Sequence, residues 1–170
     1  AGQWPARHVL GSSARDKDMR ISTKGRYALR VMIDLAQHDK DEYVKLQELA
    51  EKEGLSEKYL EGILGALVRG KLLAGARGKA GGYKLDCDPA ECSVWQILSL
   101  VETSVAPVAC LDDEKNSCDR ADICATLSVW KELSSLIKNY LDSVKLDQFL
   151  RNTPEAKGKV PAGKSWNCGL

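Results

Sequence analysis

The stretch from Leu55 to Leu85, LSEKYLEGILGALVRGKLLAGARGKAGGYKL, changes character halfway along, and few folds accommodate the change. Its first part places Leu60, Ile63, Leu64 and Leu67 at helical spacing behind Ser56, a residue suited to cap a helix N-terminus. From Leu72 the helical period is lost. Short apolar ends enclose a middle rich in Gly, Arg and Lys, which predicts two strands joined by a flexible basic loop. Upstream, KLQELAEKEG predicts a short helix with Leu46, Leu49 and Ala50 on one side, stopped by Gly54. Helix, glycine turn and helix make a helix-turn-helix outline, and the basic ribbon behind it makes the layout a winged helix.

The remaining elements follow from the same periodicities. Tyr27, Ala28, Val31, Met32, Leu35 and Ala36 form a helical stripe behind Ser22 or Thr23 as N-cap, ended by the polar run HDKDEY. After the ribbon, DPAECSVWQILSLVET predicts a helix with Pro89 at its start, carrying Trp95, Leu98 and Val101. A long final helix is expected over about residues 121–144, with Leu127, Trp130, Leu133, Ile137, Tyr140, Leu141 and Val144 as its apolar stripe. One small domain covers only part of such a stripe, so a homodimer interface is expected there. The fold class is mainly α: a winged helix-turn-helix DNA-binding domain over residues 19–86, then a cysteine loop and dimerisation helices over 87–151. Residues 1–18, which precede Met19 and have no periodicity, are read as a disordered extension; residues 152–170, rich in Pro, Gly and Lys, are read as a disordered tail.

Charge divides the chain. Residues 19–84 carry 13 Lys/Arg against 9 Asp/Glu, a net +4, whereas residues 85–150 carry 5 against 12, a net −7. The basic half fits double-stranded DNA. The second helix of such a motif enters the major groove with its N-terminal residues at base edges, and its free N–H groups favour phosphate. Here those residues are Ser56, Glu57, Lys58, Tyr59, Glu61 and Gly62. Arg77 and Lys79 in the basic loop are placed to reach phosphates or a narrow minor groove, with Gly78, Gly81 and Gly82 allowing close approach and positive φ. Lys24, Arg26 and Arg30 on the first helix add candidate phosphate contacts. The chain shows no phosphate-binding P-loop, no dinucleotide fingerprint and no Ser/His/Asp arrangement, so it is not read as an enzyme.

The acidic half contains CLDDEKNSCDRADICATL, in which Cys110, Cys118 and Cys124 stand at C-x7-C-x5-C. No apolar run approaches the ~18 residues of a membrane span. No export signal is visible either, so a cytoplasmic, reducing location is expected, where cysteines serve as thiols or metal ligands more often than as disulfides. Soft thiolates suit iron–sulfur clusters, zinc or copper(I). The wide spacings lack a zinc knuckle and fit a loop wrapped around a larger inorganic core, with zinc and bare redox thiols as the alternatives. Cys87 and Cys92, which flank DPAE, are read as structural or incidental thiols, a second metal knuckle being the remote option; Cys168 is read as free.

The ordered set MRISTKGRYALRVMIDLA, LSEKYLEGILGALVRGKLL, ARGKAGGYKL and the cysteine triplet resembles the IscR/NsrR-type (Rrf-two) family of winged-helix iron–sulfur transcriptional regulators, over residues 19–150. The resemblance implies a homodimer on a palindromic operator, a reading helix at residues 56–69, a minor-groove arginine at Arg77 and a cluster on Cys110, Cys118 and Cys124. A two-iron two-sulfur cluster is preferred to a four-iron four-sulfur one. The seven-residue gap exceeds the family's commonest spacing. A histidine three residues after the last cysteine, used by some members, is replaced by Leu127; a carboxylate on the partner's first helix, used by others, is replaced by Arg26. Asp119, Asp122, Glu114 or a small thiol is left for the fourth position, and His38 is read as a capping or surface residue. Control of iron–sulfur assembly genes is the expected theme. The alternatives are the same fold without a cluster, as a thiol-redox or partner-controlled repressor (of cysteine metabolism, for example), and more remotely an iron–sulfur electron carrier.

Overall fold

The computed structural model describes residues 21–78, 81–112, 116 and 118–151. The expected extension, the tail with Cys168, and the side chains of Lys79 and Glu114 lie outside these described residues.

Among the described residues, six α-helices and a two-stranded ribbon follow in the order α1 (Thr23–Leu35), α2 (Leu46–Glu53), α3 (Glu57–Arg69), β1 (Leu73–Ala76), β2 (Gly82–Leu85), α4 (Val94–Val101), α5 (Leu127–Ser143) and α6 (Leu146–Leu150). Ser22 caps α1, its Oγ accepting from the N–H groups of Lys24 and Gly25. Gly54 ends α2 at φ 67, the left-handed conformation that stops a helix at least cost in glycine. Ser56 caps α3, accepting from the Tyr59 N–H at 3.3 Å.

One apolar core joins these elements. Ala28, Val31 and Met32 of α1, Leu49 of α2, and Leu60, Ile63, Leu64 and Leu67 of α3 pack with Ile97 and Val101 of α4 and Leu146 of α6. Each leucine or isoleucine buried here contributes about 1.5–3 kcal/mol over exposure. The ribbon pairs antiparallel, Leu73 opposite Leu85 through Ala76 opposite Gly82. Val44 extends it, exchanging N–H···O=C bonds with Tyr83 at 2.9 and 2.8 Å. A single bridging residue has no alternation, so this third member left no mark in the hydrophobic pattern.

Three expectations about elements need correction. Pro89 does not start α4. It lies in a turn closed on the Asp88 carbonyl, and the helix begins at Val94 behind a capping box in which Ser93 and Gln96 satisfy each other's backbone N–H groups. The final helix starts at Leu127, not near Ala121, because a separate 3-10 turn at Ala121–Ile123 precedes it. A sixth helix, α6, follows it and buries Leu146.

Glu102, at the end of α4, accepts from both the N–H and the Oγ–H of Ser22 at 2.9 and 2.8 Å. A carboxylate at the N-terminus of α1 also complements that helix's dipole. It ties the front of the winged helix to α4, and a Cβ at Gly25 would collide with it. A second charged link holds α1 to α2: buried Asp34 pairs with Lys52, and Arg30 Nε lies 2.7 Å from Glu53 Oε2. Burial raises the Glu53 carboxyl above its ordinary value, with the Arg30 cation opposing the rise.

Candidate nucleic-acid interface and cysteine loop

The core consumes one face of α3 and leaves the other open. Ser56, Glu57, Lys58, Tyr59, Glu61 and Gly62 are all exposed around its N-terminal half. Nothing lies within 4 Å of where a Cβ on Gly62 would stand, so that face offers a flat, unobstructed approach. Tyr59 is anchored without being buried: its ring meets Tyr27 edge to face at 6.4 Å, and the Arg30 guanidinium lies 5.5 Å over the Tyr27 ring. Arg26 is exposed on α1, with Nη2 donating to Thr23 Oγ1 at 3.3 Å, and Lys24 is half-buried beside it.

Arg77 is exposed at the tip of the ribbon, beside Gly78 at φ 102. Gly81 and Gly82 serve differently from the expectation of positive φ. A Cβ on Gly82 would strike the Val44 carbonyl, and one on Gly81 the Ala76 carbonyl, so the pair is required by the close backbone packing of the ribbon itself. The ribbon and α3 adjoin: burial first, then the nearby Glu61 carboxylate, push the Tyr83 phenol above its ordinary range. The fold therefore sets α3 against the ribbon that carries the exposed Arg77.

The cysteine loop leaves α4 and returns as α5. Cys110 lies in a 3-10 turn at Ala109–Leu111, Cys118 two residues after the half-buried Asn116, and Cys124 at the end of the turn Ala121–Ile123. Asp112 accepts from Ser104 Oγ, and Asn116 Oδ1 accepts from the Cys118 N–H at 2.9 Å. All three thiols are half-buried and free. The Cys124 thiol is held below its ordinary range, chiefly by its hydrogen bond with Thr126 Oγ1 at 3.5 Å, which favours the thiolate. Among the described residues no group of three or more His, Cys, Asp or Glu side chains converges as a metal would need. The loop thus carries the donors in sequence without bringing them to one point. The Asn116 Nδ2 group, however, is buried with no acceptor. Asn116 stands between Cys110 and Cys118 in the chain, and an uncompensated amide donor there is one that a sulfide could accept from, so the soft donor set and this orphaned donor fit an iron–sulfur group. Asp119 and Asp122 are exposed on the same loop, and His38, away from it, faces Glu42 at 3.4 Å.

No residue of α5 is buried. Leu127, Trp130, Leu133, Ile137 and Leu141 are half-covered by the rest of the chain. Val129, Leu136 and Tyr140 form a second apolar row, 57%, 60% and 68% exposed, which the expected stripe contained only at Tyr140.

The fold and this surface define a winged-helix DNA-binding regulator rather than an enzyme. The chain matches the family described as Rrf2, iron-dependent transcriptional regulator, over residues 21–152, and it belongs to that family. It is 37% identical over 134 residues to the HTH-type transcriptional regulator IscR of Pectobacterium atrosepticum, covering 79% of this chain and 80% of that protein. Among solved structures it is similar to the T. potens IscR (TM-score 0.63, 33% identity, 84% of this chain and 93% of that one). It is also similar to CymR, the global cysteine regulator of B. subtilis (TM-score 0.62, 30% identity, 79% and 98%). Among the described residues no helix is long and apolar enough to cross a membrane.

Proposed function

We propose that two copies of this chain pair through α5 and read a palindromic operator. In this reading the exposed N-terminal residues of α3, namely Ser56, Lys58, Tyr59 and Glu61, contact base edges. Arg77 and Lys79 of the ribbon hold the flanking backbone or minor groove, and Lys24 and Arg26 add phosphate contacts. Residues 19–86 form the reading unit and residues 87–151 the sensing and pairing unit, in the cytoplasm. The observation that carries the reading is the open α3 face beside the exposed ribbon arginine, in a chain of a DNA-binding regulator family.

Cys110, Cys118 and Cys124 would hold an iron–sulfur cluster, of two-iron two-sulfur type, which supplies a centre sensitive to oxidants, nitric oxide and iron supply. The chain's part is mechanical. Three thiols held by one centre would fix Cys110, Cys118 and Cys124 relative to one another, and the loop that carries them joins α4, bonded through Glu102 to the start of α1, to the pairing helix α5. A change in loop order then alters the spacing of the two reading helices, provided the two forms differ in operator affinity. Similarity to IscR makes iron–sulfur assembly genes the preferred targets.

A second reading keeps the fold and omits the cluster, leaving a thiol-redox or partner-controlled repressor. It is favoured by the failure of the three thiols to converge and by the likeness to CymR. Selection of duplexes from a random library tests the part common to both readings: a two-fold symmetric consensus is expected, and enrichment of asymmetric sites, or none, contradicts it. Iron and sulfide analysis separates the two.

A further inference from the structure

The sequence gives Cys87 and Cys92 as structural or incidental thiols, and the structure makes them a pair. Between them the chain folds into a compact turn: the N–H groups of Glu91 and Cys92 both donate to the Asp88 carbonyl, at 3.0 and 2.9 Å, and the Ala90 N–H donates to Asp88 Oδ1 at 2.9 Å. The turn brings Cys92 back toward Cys87, which packs against the core that holds Cys92, and hydrogen bonding between the thiols shifts the ionisation of both. Their surroundings are unequal. Cys92 is 1% exposed and belongs to the core. Cys87 is half-buried and lines an open cleft of about 510 Å³, together with His38, Asp41, Lys84, Asp86 and Pro89. One sulfur therefore meets solvent and the other backs it from inside, the arrangement of an attacking and a resolving thiol.

We propose that Cys87 and Cys92 form a reversible dithiol–disulfide site, oxidised by hydroperoxides that enter through this cleft, and that it works independently of the loop cysteines. The shared hydrogen bond gives the pair its direction. Donation from Cys92 holds the Cys87 thiol below its ordinary range against the effect of burial, and the same bond, with burial, pushes Cys92 up. The Cys87 thiolate attacks a peroxide oxygen. The O–O bond breaks, leaving a sulfenic acid on Cys87 and a hydroxide that is protonated to water (an alcohol, for an organic hydroperoxide). Oxidised Cys87 no longer carries a charge, so its share in keeping Cys92 protonated is lost and burial alone still opposes ionisation. Cys92 sulfur then attacks Cys87 sulfur, the S–O bond breaks, and water leaves with the Cys92 proton. Two thiols are oxidised to one disulfide while one peroxide is reduced, and an added dithiol reverses the change.

The site sits at a junction. Cys87 closely follows β2, while the Cys92 carbonyl accepts from the Leu146 N–H at 2.9 Å and the neighbouring Ser93 bridges Lys145. A covalent link there joins the exit of the ribbon to the seat of α6.

The test uses the full chain, reduced and then treated with hydrogen peroxide. After alkylation and denaturation, a glutamate-specific protease cuts behind Glu91 and Glu102 and so separates Cys87, Cys92 and Cys110. The expected product is the Cys92 peptide disulfide-linked to the Cys87 peptide and released by dithiothreitol. It should form equally in the Cys110→Ala/Cys118→Ala/Cys124→Ala chain, whose iron content reads the cluster hypothesis separately. Cys87→Ser should leave Cys92 alkylated, and Cys92→Ala should let Cys87 sulfenic acid accumulate for trapping by dimedone. Should Cys92→Ala fail to fold, the linkage in the unaltered chain and its loss in Cys87→Ser still decide. Recovery of both thiols alkylated, linkage of either to another cysteine, or loss of the linkage in the triple variant overturns the proposal.

Discussion

Arg77 is the residue on which the DNA reading is most exposed to test, because its side chain stands clear of the core and its removal leaves the fold intact. Arg77→Ala should weaken operator binding, lower the steepness of the salt dependence by about one unit and relax any preference for A·T-rich flanks. Anisotropy titrations at several salt concentrations measure this, and unchanged affinity removes the ribbon from the interface. Gly62 carries the opposite signature. An exposed glycine inside a helix costs about 0.5–1 kcal/mol relative to alanine, and the space around it is empty. Gly62→Ala should therefore raise stability by about that amount in denaturant unfolding while weakening operator binding. A gain in stability with no loss of affinity would mean that this face never approaches DNA. At this scale the Ser56 cap was legible and the α1 cap was narrowed to Ser22 or Thr23, of which the structure uses Ser22, since such caps act through hydroxyls placed by short local spacing. Glu102 was not, because its partners are 80 positions away.

Among the elements, α3 and the ribbon were the most readable and α5 the least. Helical period and a glycine-rich basic stretch between apolar ends are local signals, and the structure places the helix and both strands where they predicted. The S-x-x-Q signal at Ser93 and Gln96 would have given the start of α4, but Pro89 drew the boundary too early. In α5 the sequence showed apolar residues without showing which partner each one meets. The structure divides them into a half-covered face and the exposed row Val129, Leu136 and Tyr140, whose spacings of seven and four suit a helix-to-helix seam. Leu136→Asp with Tyr140→Asp should convert the proposed dimer to monomer by light scattering. Helical content should be retained, because neither side chain belongs to the core. A variant that stays dimeric would place the pairing surface elsewhere. The cysteine contacts show the same limit: spacing marked the loop triplet, yet the thiols that the structure pairs are Cys87 and Cys92, brought together by a turn on Asp88.

For the whole molecule, the account joins a basic reading face to an acidic loop of thiols through helices that share one core. The Ser22–Glu102 bonds and the Ser93–Asp142 bond at 2.8 Å make α4 the common neighbour of α1 and α5, so a change in the loop between α4 and α5 would reach α1 and, through the core they share, the proposed reading helix α3. The most direct test is operator affinity measured beside iron and sulfide content on protein purified without oxygen, for the unaltered chain and for Cys118→Ala. The account predicts a coloured protein holding both elements, their loss on substitution, and a shift in operator affinity that follows the loss. A colourless, iron-free protein that binds its operator as tightly as Cys118→Ala would contradict it.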